Sequence, residues 1–258
     1  MADLSPATRD ALLRVGTSTL TGILSRRGLR NMFLQEVWPI RPDGPRMVGP
    51  AFTMRFIPAR EDKTATGRGP VQQRAMEECP PGHVLVVDAR GDPRAASAGD
   101  IYCGRLAARG CAGIVTDGGL RDSDGVAKTG LVAYLRRPSS PPSGIVHQPV
   151  DLGLPIACGG VAVYPGDVIV GDADGVVVIP PDIVATPPSL KPPSPRRSSN
   201  FCANITARWG RSSPSSKGRS TSSPVTGSWC SSTIRYRAPT QRSVRSRWQS
   251  RCAKRQAS

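Results

Sequence analysis

Two aspartates and an arginine stand out by type and spacing. Asp100 sits in the run Gly99-Asp100-Ile101-Tyr102, and Arg121-Asp122 follows after twenty intervening residues. Gly99 precedes a stretch with helical character, so the backbone N–H groups of Ile101 and Tyr102 are expected to open a helix without intrahelical partners. A helix start of this kind binds a carboxylate well. Arg121 and Asp122 follow the apolar run Gly113–Asp117, in the loop that leaves the end of a strand. If the two loops fold back together, the parts fit one reaction on a 2-oxo acid. The substrate carboxylate would lie on the Ile101 and Tyr102 N–H groups. Asp122 would hold a divalent cation largely through waters, and the cation and Arg121 would face the 2-oxo oxygen. When a C–C bond breaks, charge moves onto that oxygen as an enolate. Positive groups aimed there stabilise the transition state by an amount on the order of several kcal/mol. One carboxylate with few other ligands suits Mg²⁺ or Mn²⁺ better than Zn²⁺. Asp100 would orient a water that moves protons. On spacing alone, the bland alternative of an Arg-Asp ion pair on a surface turn is the commoner one.

Other chemistries find fewer parts. A Schiff-base mechanism needs a buried lysine, and the first 185 residues offer only Lys63 and Lys128, both in polar surroundings. A multi-histidine metal site lacks material, since His83 and His147 are the two histidines of the chain, and both read as structural. Asp172-Ala-Asp174-Gly resembles the opening of a calcium loop but lacks the later ligands, so a hairpin turn is expected. Gly118-Gly119 is not a phosphate-binding loop, because no Gly-Lys-Ser/Thr follows. None of the seven cysteines is spaced Cys-x-x-Cys, which argues against a zinc ribbon. Cys103 and Cys111 read as reduced core thiols.

The elements that must position Asp100, Arg121 and Asp122 are legible in part. Ser5 with Pro6 marks a helix start. Leu12, Leu13, Leu20, Ile23 and Leu24 continue at helical spacing, with a break at Gly16 and an end at Gly28. Met47–Ile57 reads as a strand, Pro58–Pro70 as a polar loop and Val71–Cys79 as a short helix. His83–Asp88 and Gly113–Asp117 read as buried strands. Between them stands a loop, Ala89–Ala98, and a helix, Asp100–Arg109, with Ile101, Leu106 and Ala107 inward and Gly110 closing it. A strand–loop–helix–strand unit implies parallel pairing with a right-handed crossover. Leu131–Leu135, Gly144–His147, Val161–Tyr164, Val168–Val170 and Val176–Ile179 read as further strands.

Charge divides the chain in two. Residues 1–185 carry 20 Lys+Arg and 19 Asp+Glu, whereas 186–258 carry 15 Lys+Arg and no acid. The net charge of +16 therefore belongs almost wholly to the tail. A near-neutral first part argues against nucleic-acid binding by that domain. From Thr186 acids vanish while Ser, Arg, Pro, Cys and Trp rise together, and 18 of the 73 residues are Ser. Such a segment cannot bury enough apolar surface to offset its ordering entropy. The expectation is one α/β domain, 1–185, followed by a disordered basic tail, 186–258. The abruptness of the change favours out-of-frame translation of a GC-rich gene, which resequencing would test; the rival reading is a basic, RNA-binding tail. The opening MADLSPATRD has neither the basic nor the apolar region of a secretory leader. No apolar run approaches the roughly 20 residues needed to span a bilayer, so a cytoplasmic location is expected.

The stretch AGDIYCGRLAARGCAGIVTDGGLRDSDGV, residues 98–126, resembles the signature of the RraA-like family. The likeness extends from Ser18-Thr19-Leu20 through PGDVIVGDADGVVVIP at 165–180. That family contains metal-dependent 4-hydroxy-4-methyl-2-oxoglutarate aldolases, which also decarboxylate oxaloacetate, and regulators that bind ribonuclease E. Its aldolases carry the pattern matched here by Asp100, Arg121 and Asp122. The resemblance implies a swivelling β/β/α fold assembled as a homotrimer or a dimer of trimers. It also implies a substrate loop at Gly99–Tyr102, substrate contact by Arg121 and metal binding by Asp122. Asp100 favours the aldolase branch over the regulators. After Ala185 the sequence departs from the family, whose members continue with an acidic helical segment that packs the domain and neighbouring subunits.

Overall fold

The computed structural model describes residues 4–64 and 70–184. The chain divides into two units, Met1–Pro192 and Pro193–Ser258. The expected boundary near Ala185, and the expected structureless tail, lie outside the described residues.

Two helices open the chain, α1 (Pro6–Leu13) and α2 (Thr17–Arg26). Ser5 caps the first as expected, its Oγ accepting the Thr8 N–H at 3.2 Å. Strands β1 (Trp38–Pro39) and β2 (Met47–Pro58) follow, then helices α3 (Glu61–Thr64) and α4 (Pro70–Glu78), and strand β3 (Val84–Asp88). Next come β4 (Ala96–Ala98), α5 (Asp100–Ala108), β5 (Gly113–Thr116), β6 (Gly119–Leu120), α6 (Ser123–Lys128), β7 (Val132–Leu135) and β8 (Arg137–Pro138). The domain ends with β9 (His147–Leu152), β10 (Ile156–Cys158), β11 (Val161–Val163), β12 (Val168–Asp172), β13 (Gly175–Ile179) and α7 (Pro181–Val184).

The main sheet runs β1-β7-β5-β3-β2-β12-β13, with β9 also paired to β2. Its centre, β2, β3, β5 and β7, is parallel. The two edges are joined by one stretch of chain. Leu34 N–H donates to Val176 O at 2.9 Å and Val178 N–H to Met32 O at 2.8 Å, while Trp38 and Pro39 pair with β7 on the opposite edge. The sheet is thereby nearly closed into a barrel, which leaves few unpaired edge groups.

Alternation along the strands sorts side chains into layers. Val84 and Val86 of β3 face the barrel interior with Val115, Tyr134 and Ile169, and the hairpin β10–β11 adds Ile156 and Cys158 to that interior. Leu85 and Val87 point the other way, onto Met76 of α4 and Cys103 and Leu106 of α5. Leu12, Leu20 and Leu24 cover β12 and β13 from a third side.

Three departures from the sequence reading matter. Gly144–His147 is not a strand: Ser143–Ile145 forms one 3₁₀ turn and the strand begins at His147. The expected loop Ala89–Ala98 contains β4, which joins β6 and β8 in a second, wholly parallel sheet. Two- and three-residue strands carry no periodicity, so neither this sheet nor α6 could be read from pattern. Cys103 and Cys111 are free and buried, in keeping with reduced core thiols.

Candidate active site

The small sheet explains how the site is built. Strands β3, β5 and β7 each continue, beyond their C-terminal ends, into β4, β6 and β8. Ligands in open α/β sheets bind outside these carboxyl ends. Within the small sheet the Arg121 N–H donates to Ala98 O at 3.1 Å, so Arg121 leaves β6 beside Gly99 at the start of α5. The two sheets cross so closely that a Cβ on Gly118 would stand 2.5 Å from Ala89 Cβ.

A cavity of about 260 Å³ opens there. Gly99, Ile101, Tyr102 and Arg121 line one side of it, with Ala96 and Ala98 of β4. Gln72, Gln73, Pro142 and Ser143 complete the lining. Asp122 sits at its margin, its Oδ2 3.1 Å from Arg121 Nε and 2.9 Å from where a Cβ on Gly99 would be. Asp122 holds a left-handed backbone conformation, φ 55°, as the residue that starts α6. Asp100 packs on the same helix: a Cβ on Gly125 would lie 2.9 Å from Asp100 Oδ2. The structure therefore brings Asp100, Arg121 and Asp122 together at the starts of α5 and α6. Asp100 and Asp122 stand beside the cavity rather than in its lining.

Two details of the helix start differ from expectation. Ile101 is 78% exposed, not inward. It occupies the first turn of α5, which projects past the sheet to the cavity, whereas Leu106 two turns on is fully buried. The Ile101 N–H is not free, because it donates to Asp100 Oδ1 at 2.8 Å. The first intrahelical bond runs from Cys103 N–H to Gly99 O at 3.0 Å, which leaves the Tyr102 N–H ahead of the ladder. Helix α5 ends as expected at Gly110, whose φ of 75° lets Cys111 N–H reach back to Leu106 O at 3.0 Å.

Several residues that shape the site were not singled out from sequence. Gln72 is 2% exposed. Its Nε2 donates to Ser97 O at 2.6 Å, and its Oε1 accepts from Ser143 Oγ at 3.5 Å. This one carboxamide ties α4, β4 and the 3₁₀ turn around the cavity. Asp117, at the end of β5, accepts the N–H groups of Ala89, Gly91 and Gly159 at 2.7, 2.9 and 3.2 Å. Burial pushes its carboxyl above the ordinary aspartate range, and those three bonds oppose the shift. A polar residue inside an apolar run is the signal that could have flagged both.

The residues set aside keep structural places. His83 Nδ1 lies 3.2 Å from Pro81 O. His147 is buried against Phe56 at 5.2 Å between ring centroids, with Arg90 Nη2 3.1 Å from its Nδ1. Lys128 is exposed at the end of α6. Asp172 and Gly175 close the β12–β13 hairpin. No group of three or more His, Cys, Asp or Glu gathers among the described residues, so a preformed all-protein metal cage is not the arrangement here. Among the described residues, no helix is long and apolar enough to cross a membrane.

Comparison with known proteins agrees with this architecture. The model of a family described as "RraA-like: Aldolase/RraA" matches residues 8–178. A Halalkalibacterium halodurans protein named "Putative 4-hydroxy-4-methyl-2-oxoglutarate aldolase" is 42% identical over 126 residues, 48% of this chain. That match spans 58% of the relative's length. A Burkholderia mallei protein of the same name is 37% identical over 139 residues, covering 52% of this chain and 74% of its own. Among solved structures, Streptomyces coelicolor RraAS2, described as an unusual member of the RNase ES inhibitor RraA protein family, superposes with a TM-score of 0.66 at 29% identity. That superposition covers 81% of this chain and 97% of RraAS2, and it carries the swivelling β/β/α architecture over to the described domain.

Proposed function

The chain belongs to the RraA-like family, and we propose that it is a metal-dependent pyruvate aldolase acting on 4-hydroxy-2-oxo acids. The observation that carries this reading is the contact of Gly99 with the Arg121–Asp122 pair at the mouth of one cavity. The names of the two bacterial relatives support an aldolase.

The donor set suits a hard divalent cation. It is all oxygen, the Arg121 pair engages one of the two Asp122 carboxylate oxygens, and the absent Cβ of Gly99 leaves room above that carboxylate. A cation held by one carboxylate keeps most of its waters, as Mg²⁺ does and Mn²⁺ can. Asp122 would hold it, and it would supply Lewis-acid stabilisation at the 2-oxo oxygen.

This chain's own residues do the remainder. The Tyr102 N–H and the Arg121 guanidinium bind and orient the 2-oxo carboxylate. The proton of the C4 hydroxyl leaves, the C3–C4 bond breaks and C4 becomes a carbonyl. The bonding pair passes through C3 onto the 2-oxo oxygen, where Arg121 offsets the charge. Asp100 positions the water that accepts the C4 hydroxyl proton and returns a proton to C3, giving pyruvate. Oxaloacetate fits the same scheme, with CO₂ as the leaving half.

The test is a coupled pyruvate assay on 4-hydroxy-4-methyl-2-oxoglutarate and oxaloacetate, with Mg²⁺ and with EDTA. Pyruvate release should require the cation and vanish in Asp122→Ala. Arg121→Ala should lose roughly 2.7–4 kcal/mol of transition-state stabilisation, as expected of an oxyanion donor. Rates that persist in EDTA or in either variant overturn the reading. The likeness to RraAS2 favours a second reading, a ribonuclease regulator acting through its surface. Capture of ribonuclease E that survives Arg121→Ala would support that one.

A further inference from the structure

We infer that the site selects 4-hydroxy-2-oxo acids whose distal half is uncharged, and that Gln73, with Gln72 and Ser143 behind it, sets this preference. The inference rests on the pyruvate-aldolase reading and narrows it. Arg121 is the one cationic side chain among the described residues lining the cavity, and its Nε is already engaged by Asp122 at 3.1 Å. Around one divalent cation, Arg121 offsets only one of the two nearby carboxylates, Asp100 and Asp122. A single positive charge is left over, which the 2-oxo carboxylate satisfies.

The rest of the polar lining is neutral and built to stay so. Two carboxamides and a hydroxyl come from Gln72, Gln73 and Ser143. Gln72 is held by Ser97 O and Ser143 Oγ and is 2% exposed, so it cannot swing aside for a larger charged partner. The remaining hydrogen-bonding capacity, an amide N–H and O on each glutamine, matches a hydroxyl or carbonyl. A second carboxylate taken from water into this wall would lose its hydration and find no full charge in return, which is costly in a partly enclosed site. The favoured second product is therefore a neutral aldehyde or ketone rather than a second oxo acid.

Two probes of equal chain length isolate the distal group, 2-oxopentanoate and 2-oxoglutarate. Each is titrated calorimetrically into the full-length protein with Mg²⁺ present. We expect 2-oxopentanoate to bind at least about tenfold more tightly, a difference of roughly 1.4 kcal/mol. Gln73 is exposed, so Gln73→Arg should fold normally and should shift the ratio by at least about tenfold toward 2-oxoglutarate. Equal or tighter binding of 2-oxoglutarate by the unmodified protein overturns this inference and leaves the aldolase reading intact. A ratio unmoved by Gln73→Arg removes the assignment to this wall. Failure of both probes to bind overturns the aldolase reading, and the inference falls with it.

Discussion

At Gly99 the cavity depends on an absent side chain. A Cβ there would stand 2.9 Å from both Arg121 Nε and Asp122 Oδ2, and 3.0 Å from Arg121 Cγ. Its backbone, with φ −133° and ψ −172°, is open to any residue, so Gly99→Ala tests the contact alone. The variant is expected to displace the pair and cost about 1–3 kcal/mol in kcat/KM. The thermal midpoint should change little, because both partners are partly exposed and can yield. Kinetics beside a melting curve would check this; unaltered kcat/KM would show the contact to be idle. Asp100, Arg121 and Asp122 were legible as a set because charged types stood at a fixed spacing beside a helix start. The Ile101 N–H was misassigned because a neighbouring carboxylate can satisfy a helix-start donor locally, and spacing does not reveal which donor it takes.

Among the elements, α2 begins on a cap that the chain supplies from 155 residues away. Asp172 Oδ2 accepts the Thr17 N–H at 2.8 Å, and Oδ1 accepts the Thr17 hydroxyl at 2.8 Å. The Asp174 N–H adds a third bond at 3.0 Å. Burial acts to raise the Asp172 pKa, but the bonds from Thr17 and Asp174 outweigh it and hold the carboxyl below the ordinary aspartate value. A depressed carboxyl stabilises the fold above its unfolded pKa of about 3.9, and the contribution is lost as pH falls through the folded value. Asp172→Ala should cost about 1–2 kcal/mol at neutral pH, read as a lower urea midpoint. That difference should shrink in acid below about pH 3.9. A penalty that persists unchanged there would count against the carboxylate as its source. From sequence, Asp172 belonged to a hairpin turn, which it does close; its grip on Thr17 exists only because β12 packs under α2.

Across the whole domain, His147 sets a pH limit. It is buried at the head of β9, and its Nε2 has no hydrogen-bond partner among the described residues. Burial first, and the nearby Arg90 charge second, lower its pKa. Below its unfolded value of about 6.5 the unfolded chain takes up a proton that the folded one refuses, so stability falls as pH drops from there toward the folded value. Urea midpoints measured from neutral pH down to about pH 5 should decline, and His147→Phe should flatten that decline. An equal slope in the variant would assign the effect elsewhere. The tail's charge is a separate matter. Any RNA binding by the full chain should weaken steeply with salt and vanish on deleting 186–258, whereas binding retained by the shortened chain would place it on the near-neutral domain.

The sequence by itself determined the apolar strands, the helix boundaries at Ser5 and Gly110, and the constellation of Asp100, Arg121 and Asp122. Each of these is a local pattern, in which periodicity, a cap or a fixed spacing lies within a short stretch of chain. Only the tertiary structure decided that Met32–Pro39 closes the sheet, that three two- or three-residue strands form a second one, and that Gln72 and Ser143 wall the cavity. Those outcomes depend on which segments meet after the main sheet has formed. A carboxamide or a two-residue strand carries no mark of its distant partner until packing supplies it.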